Sequence, residues 1–391
     1  MHIKRLKISE MIIMLLIIIY PFLPLIKERS GGIGNILEIA LIFILFIGII
    51  TQKRGLHTVL IDKNIIIIVC FLLFFLIEGI ANEQSAFSGF RTFLFYVFLV
   101  FFLLNIEKKQ LYNITSASII AGIIMAVGAL VQFVYPDFIS SIHSADLWMD
   151  LRSKTDFTAF SIYNRSISFM TDPNILSVYL TFILLIGNIF LIEGNKKKVF
   201  HLIMIVSIVT TQSRTGIILV VMYYILLLVQ NMLTKRTVKP VTLIIFSLVF
   251  VIGLSYVALK WNSIISFLRI DTFLNGNGRA ENNITNLDYI FSKNIWNVLF
   301  GIGLGNGQSY IFENSYYLLM YMFGVLGCVM FLFFIYKIIK PICTRKNIIL
   351  VIIYLVACLV GDYILIPHVT YVFLIGLVMS KVKYSNGLKG D

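Results

Sequence analysis

The chain has 391 residues, of which 59% are hydrophobic and only 13% charged, with a mean hydropathy of +0.94. That balance excludes a soluble globule of this length. The formal net charge of +13 raises the question of a nucleic-acid partner, and the placement of the charges answers it below.

Apolar runs occupy 8–26, 36–50, 65–80, 92–106, 112–134 and 174–192, then 199–211, 215–233, 241–259, 315–336, 348–366 and 370–380. They predict an all-α, polytopic membrane protein of about twelve spans, forming one transmembrane domain over 1–391. A helix needs roughly 20 residues to cross a core of about 30 Å. The runs at 36–50 and 370–380 therefore have to borrow flanking residues. The basic N-terminus lacks a small-residue cleavage site and runs into Pro21 and Pro24, which predicts a retained first span.

With both termini cytoplasmic and the spans alternating, about two-thirds of the 32 Lys and Arg fall in inner segments, as the positive-inside rule requires. The charge is then a topology signal, and no nucleic-acid partner is expected. Most basic residues left on the outer side are Arg: Arg29, Arg91, Arg152, Arg165, Arg214, Arg269 and Arg279. Topology does not distinguish Arg from Lys, whereas a planar fork binds phosphate or carboxylate bidentately. An anionic ligand on that face is expected. The acids Glu10, Glu38 and Glu78 are read as lying near span ends, which counts against a transporter with mid-membrane ionisable groups. The four cysteines offer neither an external disulfide nor a metal spacing.

Three outer sites stand out. The loop 135–173 ends in Arg165, then Asp172-Pro173-Asn174. Asp before Pro is an N-cap followed by a favoured first helical residue, which explains that pair without a ligand but not Arg165. The turn Gln212-Ser213-Arg214-Thr215-Gly216 follows a run of about thirteen residues, too short to carry Arg214 clear of the membrane. A charge at that depth needs a polar cavity or a ligand. The long interruption 260–314 holds Arg279, an amphipathic pattern through Ile284, Leu287, Phe291, Ile295 and Val298, glycines from Gly301 to Gly307, and Glu313-Asn314 at the next span. The glycines read as a tight turn, since no βαβ unit surrounds them. Glu313 reads either as a general base or as a helix-start acid. His143 and His368 are outer-facing alternatives that read more simply as incidental.

The order R…F-x-D-P-N, S-R-T-G after a short span, G-R before a helix with Trp296, G-x-G-x-G and E-N-x-Y resembles the O-antigen polymerase and ligase superfamily of Wzy-like membrane enzymes. The resemblance covers roughly 85–340 and is strongest from Arg165 to Gly327. It implies a GT-C-like fold with two larger extracytoplasmic loops, 135–173 and the catalytic loop 260–314, in a bacterial cell membrane. It implies a metal-independent glycosyltransferase without cofactor, acting on an undecaprenyl-diphosphate-linked oligosaccharide amid membrane lipid. A chain-length regulator and a flippase are candidate partners. Carried over, Arg214, Arg279 and Glu313 are the catalytic candidates. Arg165, Arg91, Asp172, Asn174, Asn314 and Tyr316 are candidates for binding diphosphate or glycan. The ligases resemble H-N-x-[YF]-L where this chain has Glu313-Asn314-Ser315-Tyr316, so a polymerase fits better than a ligase. A glycan exporter is a third, weaker reading.

Overall fold

The computed structural model describes residues 14–15, 17–30, 32–51, 63–82, 86–144, 165–191, 194–233, 295–304, 314–340, 342–344 and 347–385. Among them no strand occurs. In chain order the helices are α1 (Leu23–Ser30), entered through a 3-10 turn at Tyr20–Phe22, α2 (Gly32–Thr51), α3 (Lys63–Ala81), α4 (Ala86–Asn105), α5 (Lys108–Val134) and the single turn α6 (Phe138–Ile142). Then come α7 (Pro173–Phe190), α8 (Asn195–Thr210), α9 (Arg214–Leu233), α10 (Ile295–Phe300), α11 (Ser315–Ile339), α12 (Ile348–Val360) and α13 (Pro367–Ser385).

Five of these helices are long and apolar enough to cross a membrane: α2, α4, α5, α7 and α11. The two short runs do borrow residues, giving a helix of 20 residues at α2 and of 19 at α13. The run at 241–259 lies outside the described residues. The run at 348–366 is not one helix. Its helix stops at Val360, and Gly361 turns extended before a 3-10 turn at Tyr363–Leu365. The physical reason is local: Gly361 and Asp362 are poor helix residues, and Pro367 starts the next helix.

Apolar residues on both sides of a helix place it either in a core or in lipid. Helix α7 is the core case, with every residue from Leu176 to Gly187 buried. It packs against α5, α8, α9 and α13. Helix α2 is the lipid case. Leu41, Leu45 and Ile49 face inward, while Ile36, Phe43 and Ile47 are exposed, with no polar face in exchange. A second core of aromatic rings joins α3, α4 and α11, where Phe75 meets Phe323 edge-on at 4.7 Å and Phe323 stacks on Phe331 at 4.9 Å.

Long-range hydrogen bonds show which helix ends share a face. Arg29 bonds the carbonyls of Ile142 and His143, Asn82 that of Ile302, Ser166 N–H that of Thr210, and Ser315 N–H that of Gly361. Arg29, Asn82, Ile142, His143, Ser166 and Ile302 lie in the segments expected to be outer, and Thr210, Ser315 and Gly361 in the parts of the predicted spans nearest them. At the opposite end, Lys197 and Lys383 donate to the last carbonyls of α7, at Asn188 and Ile189. The cations there complement a helix C-terminus. One end of the bundle is thus arginine-bearing and the other lysine-bearing.

One charge departs from the sequence expectation. Glu38 does not sit at a helix end; it lies nearly two turns inside α2 and is 2% exposed. Two cations make that position tenable: Lys27 Nζ at 2.7 Å and Arg91 Nη2 at 2.8 Å, both on Oε2.

Candidate functional site: a paired-arginine corner

The segment Arg165–Asp172 has no regular secondary structure, and buried hydrogen bonds fix it instead. Gln132, fully buried near the end of α5, donates from Nε2 to Arg165 O and accepts at Oε1 from the N–H groups of Ile167 and Ser168. Ser166 Oγ donates to Ala129 O, and Ser168 Oγ to Met125 O. Ser168 is held in the left-handed region at φ +54°, a conformation that persists only where the surroundings over-determine it.

The Asp172-Pro173 reading holds. The Asp172 carboxylate accepts from Asn174 N at 2.6 Å and Ile175 N at 3.1 Å, with Pro173 in the first turn of α7. Helix α8 is 16 residues long, and the chain turns through Gln212 at φ +51° before α9 begins at Arg214. The two segments meet. Arg165 Nη2 donates to Asn174 Oδ1 at 3.0 Å, and Arg165 Nε to Thr211 O at 3.3 Å, three residues before Arg214. Helices α7 and α9 approach so closely that a Cβ on Gly216 would lie 2.5 Å from Ser177 Cβ. The fold thereby brings Arg165, Asp172, Asn174 and Arg214 to one corner. Arg214 is half-buried there, and Ser213 and Thr215 beside it are buried.

The connector between α12 and α13 closes a further side. Burial, then the carboxylates of Asp172 and Asp362, push the Tyr363 phenol above its ordinary range, against the hydrogen bond with Thr215. Tyr363 is therefore a neutral phenol hydrogen-bonded with Thr215 and close enough to Asp172 and Asp362 to feel their charge. Asn314 and Tyr316 also come to this connector, in structural roles. Asn314 caps α11 through Tyr316 N at 2.8 Å and donates to Leu359 O at 2.8 Å. Tyr316 Oη donates to Leu355 O. Ser315 Oγ donates to Gly361 O at 2.7 Å.

Arg91 is not in this corner; its partners are Glu38 and Asn35 on α2. Glu313 and Arg279 lie outside the described residues. His143 is a satisfied buried residue. Its Nδ1 lies 2.6 Å from Glu28 Oε2, and its Nε2 lies 2.9 Å from Ser168 O.

The returning end of the large loop is locked into the bundle. Trp296 Nε1 donates to Glu78 Oε1 at 3.0 Å. Ile302 N and Gly303 N donate to Tyr321 O and Met322 O, carbonyls released because α11 breaks at Gly324, whose φ is +63°. Gly303, at φ +85°, passes so near α3 that a Cβ there would lie 2.1 Å from Gly79 N. This is the tight turn expected of the glycines as far as residue 304; Gly305 and Gly307 lie outside the described residues.

Sequence reasoning missed Gln132, Ser315 and Tyr363. A lone amide late in an apolar run, and a Gly-Asp pair within another, are the signals that locate the first and the last. Among the described residues no group of three His, Cys, Asp or Glu stands close enough to hold a metal ion.

The fold and this corner define an all-helical membrane protein with a cationic site at one end of its bundle. No protein-family model and no curated protein matches the chain.

Proposed function

We propose that the protein is a polysaccharide polymerase that joins undecaprenyl-diphosphate-linked repeat units at the outer face of a bacterial cytoplasmic membrane. One observation carries the reading. Two arginines 49 positions apart in sequence share one corner, with the Arg165 guanidinium bonded to the turn that precedes Arg214. Cationic forks where a diphosphate departs stabilise the charge that develops as the glycosidic bond breaks. In this reading the acceptor's terminal hydroxyl attacks the anomeric carbon of the lipid-linked donor. The new C–O bond forms as the bond to the diphosphate breaks. The hydroxyl proton passes to Glu313, and Arg214 and Arg279 hold the departing diphosphate. One displacement inverts the anomeric centre. A GT-C-like scaffold of twelve spans belongs to the same proposal.

A ligase of the same fold would use the same arginines with another acceptor. The Glu313-Asn314 pair, where ligases resemble His-Asn, favours the polymerase.

The test is the size distribution of surface glycan in a deletion strain carrying wild type, Arg214→Ala or Glu313→Gln. Collapse of the ladder to one repeat in deletion and variants supports the polymerase. A full ladder left on the lipid carrier means ligase, and absence of external repeats means exporter.

A further inference from the structure

Away from the arginine corner, the same face of the bundle holds a second cationic cluster, built from α1, α2, α4 and α13. Glu38, with its side chain 3% exposed, takes both Lys27 and Arg91 on one carboxylate oxygen. One carboxylate thus faces two cations, and no second carboxylate among the described residues pairs with either. Both cations reach the open side, with side chains 35% and 21% exposed.

Four buried polar atoms at this cluster have no hydrogen-bond partner among the described residues: Tyr371 Oη on the ring that meets Tyr20, and three that a ligand could share, Arg91 Nε, Tyr20 Oη and His368 Nε2. Their grouping follows from the packing. The Tyr20 ring, 3% exposed, stacks on Phe95 at 4.7 Å and meets Tyr371 edge-on at 5.0 Å. Arg91 precedes Phe95 by four residues and His368 precedes Tyr371 by three, so each sits one helical turn above that aromatic floor. Glu38 and Arg91 act electrostatically on the Tyr20 phenol, and Lys27 on the His368 imidazole.

Leaving a buried polar group unpaired costs about 1–3 kcal/mol. Natural proteins rarely leave three such atoms beside two cations that share one carboxylate oxygen. The guanidinium N–H and the phenol O–H are donors, and imidazole Nε2 is one in its Nε2–H tautomer. A ligand that satisfies all three is anionic and rich in acceptors. An arginine fork and a lysine at the end of a membrane bundle match a phosphate group.

We infer that Lys27, Arg91, Tyr20 and His368 form a phosphate-binding site separate from the Arg165–Arg214 corner. The phosphate belongs either to a lipid headgroup or to a soluble phosphate. The site does not depend on the polymerase reading. Under that reading it supplies the second phosphate position that a reaction between two lipid-linked chains requires.

The experiment is thermal unfolding of the full chain in a maltoside detergent, which carries no phosphate, with sodium pyrophosphate, phosphatidic acid or neither. Ionic strength is held constant with chloride. Wild type gains several degrees with one of the two probes. A response to pyrophosphate assigns a soluble phosphate, and a response to phosphatidic acid alone assigns a headgroup. Tyr20→Phe and Arg91→Gln each weaken the apparent affinity about tenfold or more, the loss expected for one charge-assisted hydrogen bond. The same weakening by Tyr20→Phe and Arg91→Gln is seen on an Arg214→Ala background, where the corner no longer contributes. Without probe, Tyr20→Phe is as stable as wild type or more so, because it removes an unpaired hydroxyl.

Three outcomes overturn the proposal. The first is no response to either probe. The second is a response lost in Arg214→Ala but kept in Tyr20→Phe and Arg91→Gln. The third is a Tyr20→Phe protein destabilised in the absence of phosphate, which would mean the hydroxyl is already paired.

Discussion

The two cationic regions on the arginine-bearing face are built in opposite ways. In the corner, Arg165 is held by Asn174 and the Thr211 carbonyl, and its backbone by Gln132. The guanidinium is oriented before any ligand arrives. In the second cluster, Arg91 and Lys27 share one carboxylate oxygen while three neighbouring polar atoms lack partners among the described residues. A pre-oriented charge suits stabilisation of a transition state, because no reorganisation is needed when the charge develops. An incompletely satisfied polar cluster suits binding, because a ligand would complete the hydrogen bonds.

The largest expected effect separates the two at once. Arg214→Ala removes long glycan chains, a loss on the order of 10²-fold or more in rate, the scale seen when one transition-state donor is deleted. Membrane insertion, followed by protease protection of the loops, stays intact. A normal ladder would break the assignment of this corner as the reactive one.

Gln132→Leu comes next and tests whether the corner is pre-wired. It strands the part-buried carbonyl of Arg165 and the buried N–H groups of Ile167 and Ser168. We expect a stability loss of about 3 kcal/mol in denaturant unfolding, with glycan synthesis falling alongside. A loss below about 1 kcal/mol would mean that the segment is held by other contacts.

Asn174→Ala sharpens the comparison further. It frees one arm of the Arg165 fork while the α7 cap, which uses only the backbone N–H of residue 174, remains. Stability should change by about 1 kcal/mol or less, while the apparent KM for lipid-linked substrate rises several-fold and kcat changes little.

The smallest effect concerns the clamp between α1 and the segment after α6. Burial acts to raise the Glu28 carboxyl, but hydrogen bonds from Ser144 and His143 outweigh it and hold it below the ordinary value. A depressed carboxylate contributes stability above the ordinary carboxylate range, and that contribution is lost as pH falls through the depressed value. Amide protection factors over 138–144, taken relative to intrinsic exchange rates, should therefore fall as pH drops below the ordinary carboxylate range in wild type and lose that dependence in Glu28→Gln. Glu28 is partly exposed, and the contribution stays under about 1 kcal/mol.

Hydropathy located most of the long helices, because the cost of burying polar backbone in a membrane is paid segment by segment. Asp172-Pro173 announced the start of α7, since an N-cap is satisfied within three residues of itself. The Arg excess marked one end of the bundle for a similar reason, because side-chain chemistry is a local property.

Other features depended on partners remote in sequence. Glu38 looked like a helix-end acid until Arg91, 53 positions on, met it inside the bundle. Arg165 and Arg91 looked alike in sequence, and only packing put one in the corner with Arg214 and the other beside α2. The break at Gly324 was invisible in an apolar run, because the loop backbone that takes its freed carbonyls arrives from residues 302 and 303. Composition and spacing thus determined what kinds of residue stand at which end of the bundle. Which of them touch was decided by the tertiary structure, because hydrogen bonds and ion pairs form across space between residues that no sequence window contains.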